Sequence, residues 1–221
     1  MRSLTRESRA LLTPAAMLRL LMEGNTRFAN NLKANRDLQL QVKATAQGQF
    51  PGAVVLSCMD SRTSAELVFD QGLGDIFSIR IAGNIVNPDV LGSIEYAVAA
   101  AGVKLVMVLG HTACGAVAGA CGNVRMGNLS GTLARIAPAV QRVAAGEEGP
   151  GPYQDRVAAA NVCLSIDAIL EGSPIVRDRL ANGEVGLAGA MYDVSTGQVE
   201  VVHACAFVRE VAPLAAMVQV A

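Results

Sequence analysis

The sequence has no tryptophan, two histidines, 4% aromatic residues and 17% charged residues in 221. Each shortage excludes something. Without tryptophan the chain lacks the strongest stacking platform, and a net charge of −1 offers no basic face for nucleic acid. With only His111 and His203, a three-histidine metal site cannot come from one chain, and any Ser-His-Asp triad must use one of the two. Five cysteines are odd in number and too sparse for a disulfide scaffold. The expectation is a reducing, cytoplasmic setting in which thiols need a metal or catalytic explanation. Long apolar runs are also missing. The longest, Tyr96 to Gly110, spans 15 residues and carries Lys104, whereas a membrane span needs about 20. Early arginines are followed by an apolar run that Pro14 and Arg19 break, with no signal-peptide cleavage pattern, so no membrane partner is expected. No glycine precedes any of the three lysines, and no G-x-G-x-x-G stands at a strand end, which argues against P-loop and dinucleotide sites.

What is there is core material: 52% hydrophobic residues and a mean hydropathy of +0.37. Short apolar runs at Ala53–Cys58, Ile76–Ile81 and Leu105–Leu109 read as buried strands, and helical spacing or caps mark residues 14–33, 63–72, 88–101 and from about 113. The stretch 35–52 reads as a loop. A Thr63–Glu66 capping box is expected to open the second of those helices. Farther on, 129–145, 153–170 and 174–181 read as helices, 146–152 as a loop, and 185–192 with 199–207 as a hairpin around Ser-Thr-Gly. Alternating strands and helices predict an α/β fold: a mostly parallel central β-sheet with flanking helices, an N-terminal helical arm (about 1–35) and a C-terminal antiparallel hairpin. Residues 1–221 are expected to form one domain.

Two buried-type strands end in soft metal ligands, one at Cys58 and the other at His111 and Cys114. In parallel α/β sheets, sites form beyond the carboxyl ends of strands. Two thiolates and one imidazole suit Zn²⁺, and three protein ligands leave one tetrahedral position open, as catalytic sites do. Cys121 is the spare fourth ligand, but it lies two helical turns past Cys114. The core reading fits Cys121, Cys163 and Cys205 better, and a plain strand residue fits His203.

Cys58-Met59-Asp60-Ser61-Arg62 and Gly110-His111-Thr112-Ala113-Cys114-Gly115 together resemble the β-class carbonic anhydrases. Glu23–Phe28, Gly74–Phe77, Ser93–Ala97, Tyr192-Asp193 and Thr196-Gly197 extend the likeness over nearly the whole chain. The resemblance implies one Zn²⁺ per subunit on Cys58, His111 and Cys114, and an Asp60–Arg62 dyad beside the metal-bound water. It also implies reversible hydration of CO₂ to bicarbonate by zinc hydroxide, in a homodimer or tetramer of dimers. Gln49 falls where one branch of the family hydrogen-bonds bicarbonate. Phe77, Ala82 and Tyr96, with Gly115, map onto the substrate pocket, partly supplied by the partner subunit. Ile81 departs from the family's usual Asn.

Some family members rest closed, with the aspartate on zinc, and these have a bicarbonate pocket of Trp, Arg and Tyr. Here Arg80 and Tyr192 match, but Val55 stands at the Trp position, so an open resting site with Asp60 on Arg62 is expected. CS₂ or COS as substrate, and a zinc module without turnover, remain the alternatives.

Overall fold

A computed structural model describes residues 3–144 and 151–204, so 145–150 of the predicted helix and loop, 205–207 of the predicted hairpin and the reading of Cys205 lie outside the described residues. The order is α1 (Arg6–Ala10), α2 (Pro14–Ala29), α3 (Leu38–Thr45), β1 (Ala53–Ser57), α4 (Ala65–Val68), β2 (Ile76–Arg80), a 3₁₀ turn (Ala82–Asn84), α5 (Pro88–Glu95), β3 (Leu105–His111), α6 (Gly115–Cys121), α7 (Leu129–Ala134), α8 (Ala137–Ala144), α9 (Tyr153–Gly172), α10 (Pro174–Ala181), β4 (Gly186–Tyr192) and β5 (Val199–Ala204). Three helices start alike. Thr13, Asn87 and Ser173 accept the first free amides with their side chains, and Pro14, Pro88 and Pro174 follow at the first helical position.

The strands form one sheet in the order β2-β1-β3-β4-β5, parallel except for β5, which runs antiparallel to β4. β1 and β3 are buried along their whole length because helices cover both faces. Alternation along the pleat splits their side chains. Val55, Met107 and Leu109 face Met17, Leu18 and Leu21 of α2, whereas Val54, Leu56, Val106 and Val108 face Val162, Ile166 and Ile169 of α9. Each such side chain contributes about 1.5–3 kcal/mol of burial. Among the described residues no single helix is long and apolar enough to cross a membrane.

The structure corrects four local expectations. The polar stretch 35–52 contains α3, which Asp37 caps by accepting the Leu40 amide; Gln41 is its one buried residue, so no apolar stripe announces it. The capping box at Thr63 does not form. Ser64 is the N-cap, but its hydroxyl donates to Glu66 Oε2 and accepts from no helix amide, and the helix stops at Val68. Thr63 Oγ1 instead lies 2.9 Å from the carbonyl oxygens of both Cys58 and Asp60. The helix from Pro88 changes at Tyr96 into a π-helical turn that runs to Ala101 and ends at left-handed Gly102. The stretch 129–145 breaks at Arg135 and Ile136 into α7 and α8.

Candidate metal centre

β1 and β3 are neighbours in parallel register, with Ser57 level with Leu109. Cys58 therefore leaves β1 close to the point where β3 ends in His111. Beyond His111 the chain reverses through Ala113, whose φ of 52° is left-handed, and Cys114 becomes the N-cap of α6. That reversal returns the Cys114 sulfur to within 4.0 Å of the Cys58 sulfur. The ligand atoms of Cys58, His111 and Cys114 all lie within 4.8 Å of one another, and all three residues are buried.

These residues fit a soft cation. His111 Nδ1 lies 2.9 Å from the Thr112 carbonyl, which makes Nδ1–H the donor and leaves the lone pair on Nε2. Nε2 is buried and has no partner among the described residues. A buried acceptor of this kind costs stability unless something fills it. In a tetrahedral site with Zn–S near 2.3 Å the sulfurs stand ~3.8 Å apart, close to the separation found here. In the thiol pair, Cys58 is held well below the usual thiol range: Cys114 donates to it, and burial only partly opposes this. Cys114 is pushed up, first as the donor to Cys58 and then by its own burial. The Gly83 amide also donates to Cys58 Sγ, at 3.3 Å.

Asp60 and Arg62 sit on the loop that follows Cys58. Arg62 Nε donates to Oδ1 at 2.9 Å and Nη2 to Oδ2 at 2.8 Å, and the Arg62 backbone amide adds a second bond to Oδ1. The side-chain bonds from Arg62 hold the Asp60 carboxyl well below the usual carboxylate range, against a smaller burial effect. Oδ1 thus accepts twice and Oδ2 once, so Oδ2 keeps a free lone pair. From β2, Arg80 ties down the same loop through the Cys58 and Asp60 carbonyls. On the other side, Ala113 donates its amide to Asp155 of α9 at 2.9 Å.

The carbonic anhydrase family profile matches residues 53–199, which carry Cys58, Asp60, Arg62, His111 and Cys114. A solved β-carbonic anhydrase of Aspergillus fumigatus, CafA, superposes with a TM-score of 0.69 and 25% identity, covering 92% of this chain and 93% of that one. The chain belongs to the β-carbonic anhydrase family. Other carbonic anhydrases agree. Carbonic anhydrase 2 of Mycobacterium tuberculosis is 36% identical over 191 residues, 84% of this chain and 91% of that protein. One of two tetrameric β-carbonic anhydrases of Sordaria macrospora gives a TM-score of 0.66 at 28% identity, over 74% of this chain and 90% of that one.

Not every family-implied position gathers at this cluster. Ala82 precedes Gly83, which bonds Cys58, and Gly115 follows Cys114. Phe77 pairs in register with Val54, near the amino end of β1, four residues and ~13 Å of strand from Cys58. Its ring meets exposed Tyr96 at 6.1 Å. Gln49 is exposed before β1 begins, again at the amino end. Within one chain, then, Gln49, Phe77 and Tyr96 are not brought to the Cys58, His111 and Cys114 cluster. Val55 is fully buried in the sheet, and Tyr192 lies beside His111 and packs on Phe28. The contacts of Gly83, Arg80 and Asp155 escaped the sequence reading. The Gly83-Asn84 pair is the only signal of them, since Gly and Asn tolerate left-handed turns.

Proposed function

We propose that the chain catalyses the reversible hydration of CO₂ to bicarbonate and a proton, with one zinc ion held by Cys58, His111 and Cys114. The observation that carries this reading is the orphaned Nε2 of His111 facing two thiols beside a bidentate Asp60–Arg62 pair. Zinc bound there supplies Lewis acidity that makes hydroxide available near neutral pH.

The protein's own groups do the rest. Two thiolate ligands cancel the ion's formal charge, so the surrounding residues have to help acidify and aim the reacting water. Asp60 Oδ2, with its free lone pair, accepts a hydrogen bond from that water and turns the water's own lone pair toward CO₂. Arg62 keeps the carboxylate ionised and fixed in one orientation. CO₂ needs little more than an apolar slot. Ala82 offers one wall from the same chain, while Phe77, Tyr96 and Gln49 serve the site of a partner subunit, in a homodimer or tetramer of dimers. The resting site is open: Arg62 already engages both oxygens of Asp60, and Val55 cannot supply the indole that accompanies the closed form.

The test is CO₂ hydration measured by stopped flow on zinc-loaded protein, before and after removal of zinc by a chelator. Turnover that tracks zinc content supports the reading, and a zinc-loaded protein without turnover overturns it. A structure near neutral pH with an Asp60 oxygen within about 2.2 Å of zinc would overturn the open site. Light scattering that finds a fully active monomer would remove the partner's contribution.

A further inference from the structure

Helix α9 buries Val157, Ala158, Ala160, Val162, Ile166 and Ile169, yet the same helix buries Asn161 and Ser165 almost completely. A buried amide or hydroxyl is unfavourable unless it is bonded, and an apolar side chain would fill the space at no such cost. Both of these polar side chains, four residues apart on one helix face, reach the same turn. Asn161 Nδ2 donates to the Gly83 carbonyl at 2.8 Å, and Ser165 Oγ donates to the Asn84 carbonyl at 3.2 Å. Gly83 and Asn84 are both left-handed, with φ of 69° and 43°. A Cβ on Gly83 would lie 2.5 Å from Ile136 Cδ1, so the turn is confined on that side as well. The amide that this turn presents is the one that donates to Cys58 Sγ.

We infer that Asn161 is a positioning residue for the metal centre: it fixes the Gly83-Asn84 turn so that the Gly83 amide bonds the Cys58 sulfur. The inference rests on the reading of Cys58 as a metal ligand. An N–H···S bond draws electron density from a thiolate and so limits the charge it passes to the metal. In a site with two thiolates, that charge opposes acidification of a bound water. Partners of this outer kind orient ligands and tune the metal. Ser165 steadies the next carbonyl and acts in the same sense, more weakly.

The experiment uses the full chain loaded separately with zinc, cobalt and NMR-active cadmium. In the cadmium-loaded wild type, the Gly83 amide proton is expected to show scalar coupling to the metal across the sulfur. Asn161→Leu keeps the branched outline and the number of side-chain heavy atoms, is bulkier, and has no donor. It is expected to weaken or abolish that coupling, move the cobalt–thiolate charge-transfer band to longer wavelength and raise the zinc Kd by about tenfold or more. Ile169→Val, an apolar truncation on the same helix, should leave coupling, band and Kd as in the wild type. If Asn161→Leu does not fold, Asn161→Asp, which keeps the outline and loses the amide donor, must show the same three changes. Metal bound on Cys58 without coupling in the wild type would overturn the inference and leave the metal reading standing. So would a folded Asn161 variant with unchanged band and Kd, or an Ile169→Val shift of equal size. Failure of all three metals to bind overturns both.

Discussion

Asp60 and Asp70 are two arginine-paired aspartates in one chain, and they face opposite circumstances. Asp60 pairs with Arg62, whose side chain is 48% exposed. Asp70 and one of its partners, Arg36, are each only 8% exposed. Oδ2 of Asp70 accepts from Arg27 Nε at 2.5 Å and from the Ala34 amide at 2.9 Å, while Oδ1 accepts from Arg36. Burial alone would push this carboxyl up; the two guanidinium groups and the amide outweigh it and leave it lowered. The result is a closed knot that joins α2, the segment before α3 and the end of α4. At Asp60, two residues past Cys58, a single and largely exposed arginine holds the carboxylate. The same kind of ion pair is locked away where burial and two arginines surround the carboxylate, and stays accessible where a single exposed arginine holds it.

Removing what Asp60 addresses should have the largest effect. Cys58→Ala is expected to lose zinc and activity together, because three ligands are the minimum here; full zinc occupancy by elemental analysis would contradict the ligand set. Next comes Asp70→Asn, which takes the carboxylate away from the buried Arg36 and the partly exposed Arg27 and should cost about 3 kcal/mol in denaturant unfolding. Turnover per folded molecule should stay near wild type, and a loss comparable to that of an Asp60 variant would show that the buried pair also serves the reaction. Asp60→Asn should do the reverse: zinc retained, an unfolding midpoint close to wild type, and kcat/KM for CO₂ lower by on the order of 10². Unchanged turnover would remove Asp60 from the mechanism.

Acid sharpens the comparison further. The folded pKa of Asp70 is depressed, so its contribution to stability is fully present above the unfolded value of ~3.9 and is lost as pH falls through the folded pKa. Below about pH 4 the wild type should therefore lose stability more steeply than Asp70→Asn; parallel curves would show that the knot is not what titrates. The smallest effect concerns Ala113, a left-handed residue with a Cβ. Ala113→Gly should raise stability by up to about 1 kcal/mol, read as a shift in unfolding midpoint; a lower midpoint would mean that the turn carries no strain.

The strands and the Cys58, His111 and Cys114 cluster were legible because their signals are local. Buried parallel strands appear as short apolar runs, and Cys58 and His111 stand where those runs stop. The hairpin was legible from its turn residues. The contacts that hold the site were not. Asp155 bonds Ala113 from 42 positions away, and Asn161 reaches Gly83 across 78. Each is a single polar residue on a helix, with no periodicity to mark it. Helix α3 was hidden for the opposite reason: exposed Leu38, Leu40 and Val42 leave no buried apolar stripe to betray a helix. Thr63 was misread because a hydroxyl before a helix normally caps it, whereas here nearby carbonyls compete for it.

The register of β1 has a consequence for insertions rather than substitutions. β1 is held level on both sides, with Ala53 beside Ile76 on one flank and Leu105 on the other. The position of Cys58 is thus a matter of residue count from the start of the strand. One extra residue between Ala53 and Ser57 would reverse the pleat, turning the sulfur to the opposite face and the valines into the wrong core. A conservative exchange of Val54 for Ile would disturb only packing. Along this strand the fold tolerates changes of side chain far better than changes of length, and Cys58 is the first residue to register the difference.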